Sequence, residues 1–101
     1  MFEMLVGLEV SDNKIYAQYR AAMKPILARY EGGFGYDFVI SEVLLSEVDT
    51  PINRVFTIRF PTQSSADDFF GNEEYQAVKE QFFVKSVSHI TIIASYHKEA
   101  A

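Results

Sequence analysis

The chain has 101 residues, a formal net charge of −5 and no cysteine, which is enough for one domain over residues 1–101 and not for two. Without cysteine there is no disulfide framework, thiolate nucleophile or Cys-based metal site, and two histidines, His89 and His97, are too few for a histidine-rich zinc site. An acidic balance with no block of like charges argues against nucleic acid and anionic membranes as partners.

The opening "MFEMLVGLEVSD" is apolar but carries Glu3 and Glu9. It lacks a basic leader and a small-residue cleavage site, so it reads as a strand and not as a signal peptide. Phe2, Met4, Val6, Leu8 and Val10 alternate with Glu3, Leu5, Gly7 and Glu9, a period of two. No stretch approaches the roughly 20 apolar residues of a membrane span, and the expected location is the cytoplasm.

The period then changes. Ser11 or Asp12 is placed to cap a helix, and Ile15, Tyr19, Met23, Ile26 and Tyr30 recur at spacings of three and four. Pro25 lies inside this pattern and predicts a kink, or two short helices meeting at Lys24. "RYEGGFGYDF", from Arg29, follows. A phosphate-cradling glycine loop runs from strand to helix, whereas here the order is helix to strand, so the glycines face the wrong end of the helix dipole. Gly32 or Gly33 is expected to end the helix in a left-handed conformation.

"FGYDFVISEVLL" predicts a second strand, in which Phe34, Tyr36, Phe38 and Ile40 alternate with Gly35, Asp37, Val39 and Ser41. "SEVDTPIN" is a turn-rich connection and "RVFTIRF" a third strand, ended by Pro61. A second helix opens at Ser64 or Ser65, is interrupted at Gly71 and restarts from an Asn72 cap, with Tyr75, Val78 and Phe82 as its stripe. "SHITIIASY" is the last strand, with Ile90, Ile92, Ala94 and Tyr96 opposite in phase to His89, Thr91, Ile93 and Ser95; the tail from His97 is expected to fray.

The order β-α-β-β-α-β is that of a ferredoxin-like α+β fold: a four-stranded antiparallel sheet in the order 4-1-3-2 with two helices on one face. The even positions of the first strand, Phe56, Ile58, Phe60, Ile90 and Ile92 are expected beneath the helices. The other face is mixed, with Leu5, Val39, Val43, Val55 and Ile93 beside Glu3, Glu9, Asp37, Arg59 and His89. So many aliphatic groups left in water predict a homodimer formed through that face, against the plainer reading of a solvated sheet surface. The topology sets Glu9 beside His89 at one end of the face, and Arg59 near Glu3, with Asp37, at the other.

"VSDNKIYAQYR", "ILARYEGGF" and "FPTQSSADDFFGNEEYQAVKEQF" together resemble a widespread family of small bacterial proteins of unknown function within the dimeric α+β barrel superfamily. The resemblance covers nearly the whole chain. It implies pairing through the sheets and, by analogy with cofactor-free monooxygenases, lactone isomerases and haem-handling members, a ligand between sheet and helices. The chain departs from the usual pattern in carrying "GYDF" after the double glycine, Arg59 before Phe60-Pro61, and Phe82 and Phe83 where relatives have arginine.

Candidate ligand-binding residues are Tyr19, Tyr30, Glu9, Arg59 and His89. His89 with Glu9 has the makings of a carboxylate-oriented general base or of an axial haem ligand, but reads first as a strand histidine satisfied by a neighbour. Tyr16, Tyr19, Tyr30 and Tyr75 read as core residues with outward-reaching hydroxyls, or as the lining of a pocket for an aromatic ligand. The Asp67/Asp68 and Glu73/Glu74 pairs suit helix N-termini and, being adjacent, do not face one site. No nucleophile motif, Walker sequence or dinucleotide fingerprint is present. Two functions remain: a dimeric domain binding a small molecule without catalysis or cofactor, haem being the minor alternative, and a cofactor-independent monooxygenase- or isomerase-like enzyme acting on an aromatic or enolisable substrate.

Overall fold

The computed structural model describes residues 1–99. Four strands, β1 (Phe2–Val10), β2 (Gly33–Val39), β3 (Arg54–Phe60) and β4 (Val87–His97), form one antiparallel sheet in the order β2-β3-β1-β4. Read from the other edge this is 4-1-3-2, the ferredoxin-like order. Helix α1 (Asn13–Arg29) joins β1 to β2. The second crossover is segmented into α2 (Gln63–Gly71), α3 (Glu73–Val78), a π-helical turn (Lys79–Phe83) and the short α4 (Val84–Ser86).

The caps follow from side-chain chemistry. Asp12 accepts from the Ile15 amide at 3.0 Å and Asn72 from the Tyr75 amide at 2.9 Å. The second crossover begins one turn earlier than expected, because the cap is Thr62, which accepts from the Ser65 amide at 3.1 Å; Ser64 and Ser65 lie inside the helix. Pro25 does not split the segment into two helices: α1 is one helix of 17 residues. Pro25 and Ala21 are both exposed, so water can satisfy the Ala21 carbonyl that proline leaves without a donor.

The end of α1 corrects the reading of the glycines. The left-handed residue is Glu31, with φ 56°, and no glycine has positive φ. The Glu31 amide bonds the Ala28 carbonyl and the Gly32 amide the Leu27 carbonyl, at 3.0 and 3.1 Å, which is the Schellman pattern. Gly32 is there for space: a Cβ would stand 2.5 Å from Leu27 Cδ1 and 3.1 Å from the Phe60 ring.

Val6, Leu8, Phe56, Ile58 and Phe60 are buried beneath the helices, as their alternation predicts. From α1 the buried set is Tyr16, Tyr19, Arg20, Met23, Ile26 and Leu27, so the stripe is rotated toward Tyr16 and Arg20, and Ile15 is only half-buried.

Three expectations about the sheet are corrected, each for a pairing reason. The pairing of β2 with β3 shifts between Phe34 and Asp37, so Asp37 opposes Phe56 and Phe38 opposes Val55. Asp37 therefore lies on the helix side, away from Glu3 and Arg59, while Tyr36 stacks on Phe38 across the other face, ring centroids 5.7 Å apart. Strand β2 ends at Val39, opposite Arg54, where its partner β3 begins; Val39 shares the helix side with Asp37, and Val43 lies in the connecting loop. In β4 a shift between Leu5 and Val6 of its partner leaves Ile93 as the extra residue, so Ala94 and Tyr96 join the open face opposite Leu5 and Glu3. The tail does not fray at His97: β4 runs through it, and the Lys98 amide donates to the Met1 carbonyl at 2.9 Å.

No helix among the described residues is long and apolar enough to cross a membrane.

Candidate functional site

Between the helix side of the sheet and the helices lies a cavity of about 480 Å³. Its floor is Met4, Val6, Phe56 and Ile58 of the central strands; Tyr16, Tyr19, Arg20 and Met23 of α1 form one wall. Tyr75, Lys79 and Phe83 form the opposite wall, and Val84, Ile90 and Ile92 line it where it meets solvent. The space exists because the helices do not cover the β4 edge: Ile90 and Ile92 point toward the helix layer yet are 55 % and 48 % exposed.

The polar groups of the cavity are few and ordered. The hydroxyls of Tyr19 and Tyr75 are hydrogen-bonded at 2.9 Å, bridging the two walls. Burial pushes the Tyr16, Tyr19 and Tyr75 hydroxyls above the usual phenol range, the Tyr75 oxygen adding to the effect at Tyr19. They are neutral at physiological pH and act as hydrogen-bond donors and not as bases. Arg20 donates through Nε to the Tyr16 hydroxyl at 2.8 Å and through Nη1 to Asp37 at 3.2 Å. Its guanidinium lies 4.0 Å from the Phe34 ring centre and 4.9 Å from that of Phe56. Arg54 grips the same carboxylate from outside, with Nε and Nη2 each at 2.8 Å. These bonds, Arg54 first and then Arg20, hold the Asp37 carboxyl below its ordinary range. No carboxylate or imidazole lines the cavity among the described residues.

The chain matches the family described as "Domain of unknown function (DUF1330)" over residues 4–96. The chain belongs to the DUF1330 family. A protein of unknown function from Rhodopseudomonas palustris shares the fold at a TM-score of 0.76 and 15% identity, over 99% of this chain and 83% of that one. A dabb family protein with a ferredoxin-like fold from Mesorhizobium loti superposes at 0.61 with 15% identity, over 98% and 97%. A candidate antibiotic biosynthesis monooxygenase from Nitrosomonas europaea does so at 0.62 with 16% identity, over 97% and 98%. At these identities the likeness is one of fold. Among curated proteins none matches.

In this DUF1330 chain the five candidate residues do not converge. Tyr19 lines the cavity. Tyr30 does not: its hydroxyl accepts from Asn72 Nδ2 at 3.0 Å and its ring meets Phe69 at 6.0 Å, tying the end of α1 to the cap of α3. Glu9, Arg59 and His89 lie on the opposite face of the sheet. There His89 Nδ1 is 2.9 Å from Glu9 Oε1, and the two residues are directly opposed in register. At the far end Glu3 opposes Arg59 on one side and Tyr96 on the other, accepts from the Tyr96 hydroxyl and pairs with Lys98 at 3.2 Å. The bond from Tyr96 leads the causes that lower the Glu3 pKa, and Tyr96 is raised in return. A haem in the cavity would find no imidazole, since the residue read as its axial ligand is across the sheet; the residues present do not fit that arrangement.

Arg20 and Lys79 also line the cavity, and a stripe of apolar positions does not reveal them, because it leaves out charged side chains that reach a buried face. A signal was present: Arg20 stands four residues after Tyr16, and Lys79 four after Tyr75 and four before Phe83.

Proposed function

We propose that this chain is a single small-molecule-binding domain that works as a homodimer through the open face of its sheet. The observation that carries the binding reading is the cavity itself. Its 480 Å³ is within the range of about 300–1,000 Å³ typical of ligand sites, with aromatic and aliphatic walls and few oriented donors. Those walls suit a compact, largely apolar, aromatic ligand. Without a carboxylate or imidazole among the described lining residues, and with neutral tyrosines, the cavity is equipped to hold and orient a molecule more than to move its protons.

Pairing is supported by what the open face leaves in water. Tyr36 and Phe38 are stacked and exposed, and Ile93 and Tyr96 are partly exposed. Apolar groups gathered on one side of a small chain mark an interface. The fold shared with a dabb family protein agrees with such pairing.

A second reading is a cofactor-independent monooxygenase- or isomerase-like enzyme, with which the fold shared with the candidate monooxygenase from Nitrosomonas europaea is only weakly consistent. Native mass spectrometry of gently purified protein tests both parts of the proposal. The expected result is a dimer retaining a small organic mass in each subunit; a bare monomer at micromolar concentration would overturn it. Turnover of an aromatic or enolisable substrate by the purified protein would move the conclusion to the enzyme.

A further inference from the structure

Resting on the reading of the cavity as a ligand site, we propose that its ligand is an aromatic monocarboxylate whose carboxylate is held by Lys79 and the tyrosine hydroxyl pair. The cavity wall carries two cations among the described residues, Arg20 and Lys79. Arg20 is already engaged. Its Nε faces Tyr16, its two terminal nitrogens face Asp37 at 3.2 and 3.5 Å, and its Cζ lies over the Phe34 ring. Lys79 is half-buried and forms no ion pair or side-chain hydrogen bond with the other described residues. An ammonium at an apolar wall is stabilised by an anion that reaches it, and Lys79 lines the same cavity as the aromatic rings.

Its position is set by the backbone. The Val84 amide bonds the Lys79 carbonyl, five residues back, closing the π-helical turn over Lys79–Phe83. That wider turn keeps Tyr75, Lys79 and Phe83 on the cavity wall together. Single π-helical turns inside helices are frequent at functional sites.

The second donor comes from proton counting. Two hydroxyls, Tyr19 and Tyr75, share one hydrogen bond, so one O–H proton is used between them and the other is free to leave the pair. Burial keeps both hydroxyls protonated. Lys79 is one helical turn from Tyr75. A carboxylate offers two oxygens to two donors and its one negative charge matches one ammonium. A phosphate dianion would bring more oxygens and charge than this wall can satisfy. The remaining surface, with Phe34, Phe56 and Phe83, receives the ring.

The test is calorimetric titration of the full chain with 1-naphthoate and with its neutral counterpart 1-naphthalenemethanol at pH 7. The acid is expected to bind about tenfold or more tightly than the alcohol, the scale of one charge-assisted hydrogen bond. Lys79→Met should remove about that factor for the acid and leave the alcohol within about twofold, and Lys79→Arg should restore much of it. Equal binding of acid and alcohol to the wild type, or equal loss of both in Lys79→Met, would overturn the assignment of the carboxylate while leaving the cavity as a ligand site. Binding of neither compound would overturn both the assignment and the cavity reading on which it rests. Lys79→Gln, which keeps a polar tip, serves where the methionine variant does not fold, with the same two outcomes.

Discussion

The two ends of the helix-covered side of the sheet use the same residue classes and pack them differently. At one end Phe69 is fully buried, its ring centroid 4.4 Å from Tyr75, 5.1 Å from Phe70 and 5.6 Å from Phe60. At the other, toward β4, Met4, Ile90 and Ile92 face open space. The difference comes from coverage. The helix α2 packs on β3 and sends Phe69 into the layer, while the element that packs on β4 is α4, a single turn. The filled end carries stability and the hollow end is the site of the proposed ligand, so substitutions at the two ends should differ in kind.

The largest expected effect is at the filled end. Phe69→Ala should destabilise the fold by about 3–5 kcal/mol, because the surrounding rings cannot collapse into the space left behind. Ile92→Ala, at the half-exposed rim, should change urea stability by less than about 1.5 kcal/mol and instead alter ligand affinity. Similar losses from both substitutions would erase the contrast.

Next in size is the hydroxyl pair spanning the hollow end. Tyr19→Phe removes one oxygen and leaves the Tyr75 hydroxyl buried without its partner, a cost of about 1–3 kcal/mol by urea denaturation. The double replacement of Tyr19 and Tyr75 by Phe should cost less than the sum of the singles, since no orphan group then remains.

The pH dependence separates the sheet's ionic groups from this aromatic pair. Asp37 and Glu3 titrate lower in the fold than in the unfolded chain, where carboxyls ionise near about pH 4. Their stabilisation is present above that pH and is lost as pH falls through the lowered folded values, because the unfolded chain then binds more protons. Tyr16, Tyr19 and Tyr75 are raised in the fold. Their contribution is complete below about pH 10 and declines above it. Urea midpoints across pH should therefore show a plateau between these limits. Asp37→Asn should flatten the acid limb and Tyr19→Phe the alkaline one.

How much of this was legible in the sequence depends on what sets each feature. The strand order, the helix restart at Asn72 and the pairing of Glu9 with His89 follow from periodicity and topology, and the structure shows each. Asp37 and Tyr96 lie on the sides opposite to those that alternation predicts, because a one-residue shift reverses every side chain beyond it and local alternation does not reveal a bulge. Glu31 takes the left-handed position, and Gly32 follows it where Leu27 and Phe60 leave no room for a Cβ. That crowding is tertiary and invisible along the chain. The cavity was only half legible. Its tyrosines stood out as aromatics on helical stripes, but Arg20 and Lys79 enter the wall through an ion pair with a bulged strand and through a π-helical turn.

The smallest expected effect concerns the open face, and it carries the most information about assembly. His89 is about half exposed and meets Glu9 across the β1–β4 pair. In an isolated subunit such a pair is bathed in solvent and contributes about 0.2–1 kcal/mol. Glu9→Gln should therefore barely alter urea stability at concentrations where subunits are separate. If a second copy covers this face, the same pair is drawn out of water, and replacing the Glu9 carboxylate weakens the buried hydrogen bond to His89 Nδ1. The dissociation constant of the dimer, measured by sedimentation, should then rise several-fold in Glu9→Gln. Glu73→Gln, an exposed change of equal charge at the start of α3, should leave it unchanged. A dimer insensitive to Glu9 and equally insensitive to Phe38→Ser would have to assemble through some other surface. The stacked Tyr36 and Phe38 would then be solvated aromatics, and the open face would belong with the hollow end of the cavity as surface kept for a smaller partner.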